Sequence, residues 1–128
     1  MAVASIGAVT VGDNGRIPFG WDEPDPDNPG ERRAKNISTY VVSFEARMSY
    51  GDPALVTKSS TGGISEVDIE DAAGVIQADG TIRHGVVVLD TDDLAAVGST
   101  TDLYCLLRLT KTGESHTTPF RLQARVVA

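Results

Sequence analysis

Two short acidic segments carry the carboxylate oxygens that a bound calcium ion would need, and the first is DEPDPDN at residues 22–28. Counted from Asp25, this segment places Asp27 at the third position of a calcium loop and Gly30 at the sixth. A loop of the EF-hand type has a bidentate glutamate at its twelfth position, and here that position is Asn36. Since the ligand that contributes two oxygens is missing, we expect Asp25 and Asp27 to be solvated acids, with calcium as the weaker alternative.

The second acidic segment, DTDD, contains Asp90, Asp92 and Asp93 and precedes a short apolar stretch. Carboxylates are favoured at the start of a helical turn because unpaired backbone N–H groups and the helix dipole attract negative charge there. The sequence TDDLAAV at residues 91–97 therefore predicts one helical turn. Asp90 and Asp92 are calcium candidates by composition alone, and the sequence predicts no cofactor.

The residues that could act as nucleophile or base do not form a catalytic arrangement in the sequence. Ser115 and His116 are adjacent, and neighbouring side chains of an extended chain project to opposite sides, so they cannot form a nucleophile–base pair locally. Cys105 has inward parity on an apolar strand, where a thiol lacks the exposure and positive surroundings that activate it. His84 lies on another predicted strand with no obvious nucleophile nearby. We therefore predict that the protein is not an enzyme.

Aromatic and arginine side chains are the remaining candidates for function, as contacts to other proteins. Trp, Tyr and Arg supply much of the binding energy at protein interfaces. The candidate interaction residues are Phe19, Trp21, Arg32, Arg33, Arg121 and Arg125.

Length and composition limit the classes to which the protein can belong. Its 128 residues suit one domain, which we place at residues 1–128, and its core must be mainly aliphatic because only 5% of the residues are aromatic. No apolar stretch approaches the roughly 18 residues of a membrane span, and no basic segment precedes the N-terminal apolar residues as in a signal peptide. A single cysteine suits a reducing cytoplasm. We therefore predict no membrane partner.

Charge is distributed unevenly along the chain. Residues 1–107 carry 17 acids and 7 bases, a net charge of −10, whereas residues 108–128 carry 4 bases and 1 acid, a net charge of +3. A mainly acidic surface repels phosphate groups, so nucleic acid is not an expected partner. The basic last strand facing an acidic remainder would permit head-to-tail contacts between copies, although a solvated strand face is the simpler interpretation.

Apolar and polar residues alternate along several segments, and this period of two predicts β-strands. The clearest strand, YVVSFEARMSY, directs alternate side chains from Tyr40 to Tyr50 inward, Met48 included. Further strands are predicted at residues 81–90, 102–110 and 117–127, with the turn KTGES before the last, and weaker ones at residues 3–11, 54–58, 64–69 and 74–77. Many short strands and almost no helical period predict an all-β fold, an immunoglobulin-like antiparallel β-sandwich. Tyr104 faces away from Cys105, unlike the tyrosine corner of antibody domains.

The segment at residues 12–39 breaks this alternation. It contains four of the six prolines and the only tryptophan. Because proline lacks a backbone donor and restricts the residue before it, the sequence predicts an extended irregular N-terminal arm instead of a sheet strand. Phe19 and Trp21 would anchor this arm on its own sandwich or, alternatively, on a neighbouring subunit. Deleting residues 12–39 is then expected to leave a folded sandwich that no longer enters its assembly.

Several segments, taken in order, resemble a known family of domains. Gly12 and Asp13 lead into an apolar strand, ARMSYGD ends a strand in a Gly-Asp turn, and LDTDDLAAV followed by DLYCLLRLTKTGES precedes the last strand. With these motifs the chain resembles the immunoglobulin-like domain of tailed-bacteriophage virion proteins. It is most similar to the N-terminal domain of the baseplate upper protein family and to fibre-to-tail adaptor proteins.

The resemblance implies a non-enzymatic part of a phage particle, assembled in the bacterial host cytoplasm and present in several symmetric copies. Such a protein joins tail, neck, baseplate or fibre components through contacts with other virion proteins and copies of itself. A capsid decoration protein of the phage head is the alternative within this class. A carbohydrate-binding sandwich, with sugars stacked on Trp21, Tyr40 and Tyr50, is the alternative outside it.

Overall fold

Ten β-strands make up the regular secondary structure of the computed structural model, which describes residues 2–3, 8–37, 39–59 and 84–127 and has no helix within these ranges. In chain order the strands are β1 (Ala2–Val3), β2 (Ala8–Thr10), β3 (Gly15–Gly20), β4 (Asp22–Pro24), β5 (Arg32–Ala34), β6 (Val41–Arg47), β7 (Val56–Ser59), β8 (His84–Leu89), β9 (Thr101–Lys111) and β10 (Glu114–Arg125).

The strands form two larger sheets and one hairpin. Five strands make up the largest sheet, in the order β2, β10, β9, β6, β7. Its neighbours are antiparallel, except that β2 runs parallel to β10. The second sheet has the order β1, β3, β8, and β4 pairs with β5. The sheets pack together through their apolar faces, so the described chain has the predicted all-β, sandwich-like fold.

The core is built from the inward residues of both larger sheets, and β9 shows the alternation that the sequence predicted for it. On β9 the inward series is Leu103, Cys105, Leu107 and Leu109, and all four side chains are buried. They pack in one apolar cluster with buried residues of the three-stranded sheet, namely Ile17, Phe19, Val87 and Leu89. Burying one such aliphatic or aromatic side chain stabilises the fold by roughly 1.5–3 kcal/mol, so this layer accounts for much of the stability of the sandwich.

The strands agree with most of the predicted segments. Residues 40–50, 54–58, 102–110 and 117–127 correspond to β6, β7, β9 and β10. The segment predicted at residues 3–11 contains β2 and the last residue of β1, and its residues 4–7 lie outside the described ones. Strand β8 covers residues 84–89 of the segment predicted at residues 81–90. The segments predicted at residues 64–69 and 74–77 lie outside the described residues.

The prediction of an irregular arm over residues 12–39 is wrong where the structure has three strands, β3, β4 and β5. Residues 15–20 form β3, a strand that pairs with β8 along its whole length and buries Ile17 and Phe19. Strands β4 and β5 then form a hairpin. The aromatic side chains of Phe19 and Trp21 are buried, so they belong to the fold of their own chain.

Two smaller predictions are also corrected. Met48 and Tyr50 do not continue the inward series of β6, because the strand ends at Arg47 and the chain turns outward. Residues 91–96 form consecutive turns with hydrogen bonds such as Asp93 N to Asp90 O, and not a helical turn. Each bond links a residue to the third one before it, which closes turns without the repeating pattern of a helix.

Candidate functional site

A groove crosses the outer face of the five-stranded sheet, on the side opposite the core. The registers of β6, β9 and β10 bring its residues together. Arg47 lies opposite Tyr104, and Tyr104 lies opposite Arg121. In the next row, Leu106 lies opposite Pro119. Because side chains alternate between the two faces of a sheet, the register that packs the core also places these five residues outward.

The groove is mainly apolar and open to solvent. It encloses about 590 Å³ and is lined by Tyr104, Leu106 and Pro119, with Tyr50 at one side. The Tyr50 residue is 92% exposed, and Tyr104 is 37% exposed. Apolar surface that is concave and exposed is typical of sites that bind another molecule.

A fixed turn holds Tyr50 at the groove. The Asp52 backbone N–H donates to the Ser49 carbonyl at 3.1 Å, and the Ser49 hydroxyl donates to an Asp52 carboxylate oxygen at 2.6 Å. Gly51 has a φ of 94°, a conformation that residues with a side chain rarely adopt. Arg47 Nη1 donates to the Asp52 carbonyl at 2.6 Å, which joins the turn to the end of β6.

Two arginines flank the aromatic floor of the groove. The Arg121 guanidinium lies 4.9 Å from the centre of the Tyr104 ring, and its Nη2 donates to the Tyr104 hydroxyl at 3.4 Å. Arg47 Nη2 donates to a Glu45 carboxylate oxygen at 2.7 Å. Among the described residues Arg121 has no carboxylate partner, so its positive charge is available to a ligand in the groove.

A second polar cluster lies at the other end of the same sheet, around Glu114. The Tyr40 hydroxyl donates a short hydrogen bond to one carboxylate oxygen of Glu114. His116 Nε2 lies 3.2 Å from the other oxygen, and the Lys111 ammonium lies 3.5 Å from the carboxylate. The ammonium groups of Lys35 and Lys111 lie 5.2 Å and 4.5 Å from the Tyr40 ring centre.

These contacts stabilise the ionised form of Glu114. The hydrogen bond from Tyr40, with the nearby His116 and Lys111, lowers the pKa of Glu114 to about 2. The cluster joins the chain before β6 to the turn between β9 and β10. Its charges are paired with one another, and we therefore interpret it as a structural contact.

The predicted aromatic interaction residues lie in the core. Phe19 is 2% exposed and Trp21 is 6% exposed, and their rings meet edge to face with centres 5.8 Å apart. Of the two alternatives open from the sequence, the structure favours packing within the same chain. Of the three side chains considered for sugar stacking, Trp21 is therefore buried, Tyr40 is bound to Glu114, and Tyr50 alone is freely exposed.

The predicted arginines fall into two groups. Arg32 Nε and Nη2 donate to the two carboxylate oxygens of Asp22 at 3.0 and 3.1 Å, and Arg33 pairs with Glu23 at 3.2 Å. These four side chains form cross-strand pairs that stabilise the β4–β5 hairpin. Arg121 lines the groove, whereas Arg125 lies further along β10, where its Nε donates to Gln123 at 2.8 Å.

The four acids considered for calcium do not come together. Asp25 uses one carboxylate oxygen to accept from the Asp27 backbone and the other to accept from the Asn28 side chain, both at 2.9 Å. Asp90 is exposed, and beside it the Asp93 carboxylate lies 2.9 Å from the Lys58 ammonium. Within the described ranges no three His, Cys, Asp or Glu side chains are grouped as metal ligands.

Among the described side chains, the candidate catalytic residues form no nucleophile–base contact. Burial raises the pKa of the Cys105 thiol to about 12, so the reactive thiolate does not form at neutral pH. His116 faces Glu114, and the His84 side chain lies outside the described part of the structure.

Across the described chain there is no helix long and apolar enough to span a membrane.

Sequence reasoning missed most of the groove. Of its lining residues, the sequence singled out Arg121 as an interaction residue and Tyr50 as a sugar-stacking candidate facing inward. The available signal was the run LYCLLRL on β9, in which Leu106 is apolar at outward parity. An apolar side chain on the solvent face of an otherwise alternating strand indicates either a second covering layer or a binding surface.

Searches against protein-family models, curated proteins and solved structures find no significant match to this chain.

Proposed function

We propose that the chain is a non-enzymatic structural domain of a tailed-phage virion, and that its outer-face groove is the surface that binds a neighbouring virion protein. The groove carries this proposal. Interfaces between proteins are enriched in tyrosine and arginine and keep an apolar centre within a polar rim. Tyr50, Tyr104 and Leu106 supply such a centre, and Arg47 and Arg121 lie beside it.

The strand connections support the immunoglobulin-like part of the proposal. In that fold the second and fifth strands of the sandwich share one sheet, and the third, sixth and seventh share the other. Here β3 pairs with β8, whereas β6, β9 and β10 are consecutive neighbours in the larger sheet. The β4–β5 hairpin is then an insertion between the second and third strands. The motifs shared with phage baseplate and adaptor domains favour a place in the tail, neck or fibre junction.

The proposal is tested in particles of the virus that encodes the chain. A virus lacking the gene is supplied with the wild type, with Leu106→Asp in the groove, or with Ser115→Asp, an exposed control on the same sheet face. Wild type and the control should appear in purified particles, and Leu106→Asp should be reduced about tenfold or more because it places a charge in an apolar contact. Circular dichroism verifies that each variant is folded.

The outcomes separate the alternatives. Wild-type protein that is missing from purified particles would overturn the proposal, as would incorporation of Leu106→Asp at the wild-type level. Immunogold labelling over the head instead of the tail would identify a capsid decoration protein. Groove-dependent binding to a glycan array by protein that is absent from particles would identify the carbohydrate-binding alternative.

A further inference from the structure

The β4–β5 hairpin carries an exposed acidic tip at residues 25–31. This hairpin tip contains Asp25, Asp27 and Glu31 together with two prolines, and most of its residues are exposed. The basic residues of the hairpin, Arg32 and Arg33, are already paired with Asp22 and Glu23. The hairpin tip therefore presents net negative charge to its surroundings.

The hairpin tip is held in one conformation by its own hydrogen bonds. The Asp25 backbone N–H donates to the Glu31 carbonyl at 2.9 Å, and the Glu31 N–H donates to the Asn28 carbonyl at 3.0 Å. The Asp25 carboxylate accepts from Asp27 and Asn28 on its two oxygens, which lowers its pKa. A segment that is already ordered loses little conformational entropy when it binds.

The hairpin and the groove lie toward opposite ends of the five-stranded sheet. The hairpin flanks the start of β10, because Glu23, Arg32 and Lys35 line a cleft shared with His116 and Thr117. The start of β10 pairs with the end of β9, which in turn pairs with the start of β6 at Val41. The groove row at Arg47 is six residues further along β6, about 20 Å at the rise of a strand.

Because the base of the hairpin adjoins the end of the sheet opposite the groove, the hairpin tip suits contact with the groove of another copy. The groove has a positive charge at Arg121, which has no carboxylate partner among the described residues. The hairpin tip has negative charges at Asp27 and Glu31, for which no ion pair is described. The groove's exposed aromatic ring at Tyr50 also provides an apolar surface for the prolines of the tip.

We propose that the hairpin tip of one copy binds the groove of the next copy, so that the protein associates head to tail. This inference rests on the proposed function and identifies the neighbour as a second copy of the chain. A head-to-tail contact joins two different surfaces of the same protein and closes into a ring or continues as an open row. Such a contact agrees with a structural protein present in several copies.

Two complementary variants test the inference. The tip variant carries Asp27→Lys and Glu31→Lys, which leave the Asp25 hydrogen bonds in place. The groove variant carries Tyr50→Ser and Arg121→Glu. The control for the tip variant carries Asp13→Lys and Asp92→Lys, and the control for the groove variant carries Val127→Ser and Arg125→Glu. All four residues are exposed and lie elsewhere on the surface, and each control changes the charge by the same amount as its variant.

Sedimentation velocity at low salt measures the association. The wild type and both controls should self-associate, whereas the tip variant and the groove variant should each be monomeric. In each variant the charges of the tip and the groove become alike, which should reduce the affinity of self-association about tenfold or more. An equal mixture of the two variants should associate again, because one intact tip and one intact groove remain in each pair. Salt should weaken the association, since the contact is partly electrostatic.

Several results would overturn the inference. A wild type that stays monomeric up to about 1 mM, a tip variant that associates like the wild type, or a mixture of variants that stays monomeric each excludes the contact. If groove variants also fail to enter particles while the wild type is monomeric, the groove binds a different virion protein. In that case the proposed function stands without the head-to-tail contact.

Discussion

The contact between Phe19 and Gly85 allows a quantitative test of the three-stranded sheet. The two residues lie opposite each other on β3 and β8, and the Phe19 ring covers the glycine. A Cβ atom added at Gly85 would lie 2.5 Å from Cζ and 2.9 Å from Cε1 of the ring. Real side chains do not approach so closely, so the ring must move when Gly85→Ala is made. Phe19 is buried against Trp21 and has little room to do so.

The expected effect of Gly85→Ala reverses sign with the residue at position 19. In the wild type, overpacking should reduce the free energy of unfolding by about 1–3 kcal/mol. The change Phe19→Ala alone should cost about 3–5 kcal/mol because it empties a buried site. Once the ring is absent, Gly85→Ala should be neutral or stabilising by up to about 1 kcal/mol, since alanine restricts the unfolded chain and suits a strand better than glycine.

Urea unfolding of the four proteins, followed by circular dichroism, measures these free energies as a double-mutant cycle. Gly98→Ala is the matched control, because a Cβ added at Gly98 meets no atom of the described residues within 4 Å, and it should change stability little. If Gly85→Ala had the same cost with and without the Phe19 ring, the two residues would not be in contact. The placement of β3 in the core would then be wrong.

Three further results follow from the structure. Because burial raises the pKa of the Cys105 thiol to about 12, a thiol reagent at pH 8 should label the native protein far more slowly than the urea-unfolded protein, and equal rates would contradict its burial. Because the hydrogen bond from Tyr40 and its neighbouring cations lower the pKa of Glu114 from 4.5 to about 2, the ionised carboxylate stabilises the fold above pH 4.5 and this stabilisation is lost as the pH falls toward 2. Chemical denaturation should therefore show Glu114→Gln to be less stable than the wild type at pH 7, with the difference shrinking below pH 4.5, whereas a constant difference would exclude the linkage. Deleting residues 12–39 should abolish the cooperative unfolding transition because it removes β3, while replacing residues 25–31 by a short turn should preserve it, as thermal melts followed by circular dichroism would show.

The strands that could be predicted from sequence are those whose two faces differ in polarity. Strands β6, β9 and β10 each bury one side in the core and expose the other, so their side chains alternate along the chain. Strand β3 has the same burial alternation, but its sequence GRIPFG contains glycine at both ends and a proline inside. Glycine and proline are typical of turns, so the sequence did not predict a core strand here. The strand forms because it pairs with β8, which lies more than 60 residues away in the chain.

The β4–β5 hairpin has a local signal in its sequence, in the form of its charges. Two acids at residues 22–23 and two arginines at residues 32–33 surround a turn rich in proline and aspartate. In an antiparallel pair this arrangement places opposite charges across from each other, and Glu23 does lie opposite Arg33. A mirrored charge pattern around a turn therefore predicts a hairpin even when both strands lack apolar alternation.

The groove could not be predicted in the same way because it depends on register across three strands. Tyr104 and Arg121 are separated in sequence and meet only because a two-residue turn, Thr112 and Gly113, fixes the pairing of β9 with β10. Gly113 has a φ of 79°, which allows this tight connection.

The same register that assembles the groove also determines the core, and this links binding to folding. A slip of one residue between β9 and β10 would turn an entire set of side chains toward the wrong face, burying Arg121 where Leu122 now lies. The cost of burying an unpaired guanidinium in an apolar core is far larger than any gain from a new surface contact. The surface row formed by Arg47, Tyr104 and Arg121 is therefore held in place by the core beneath it, and a partner meets a groove that is already formed before binding.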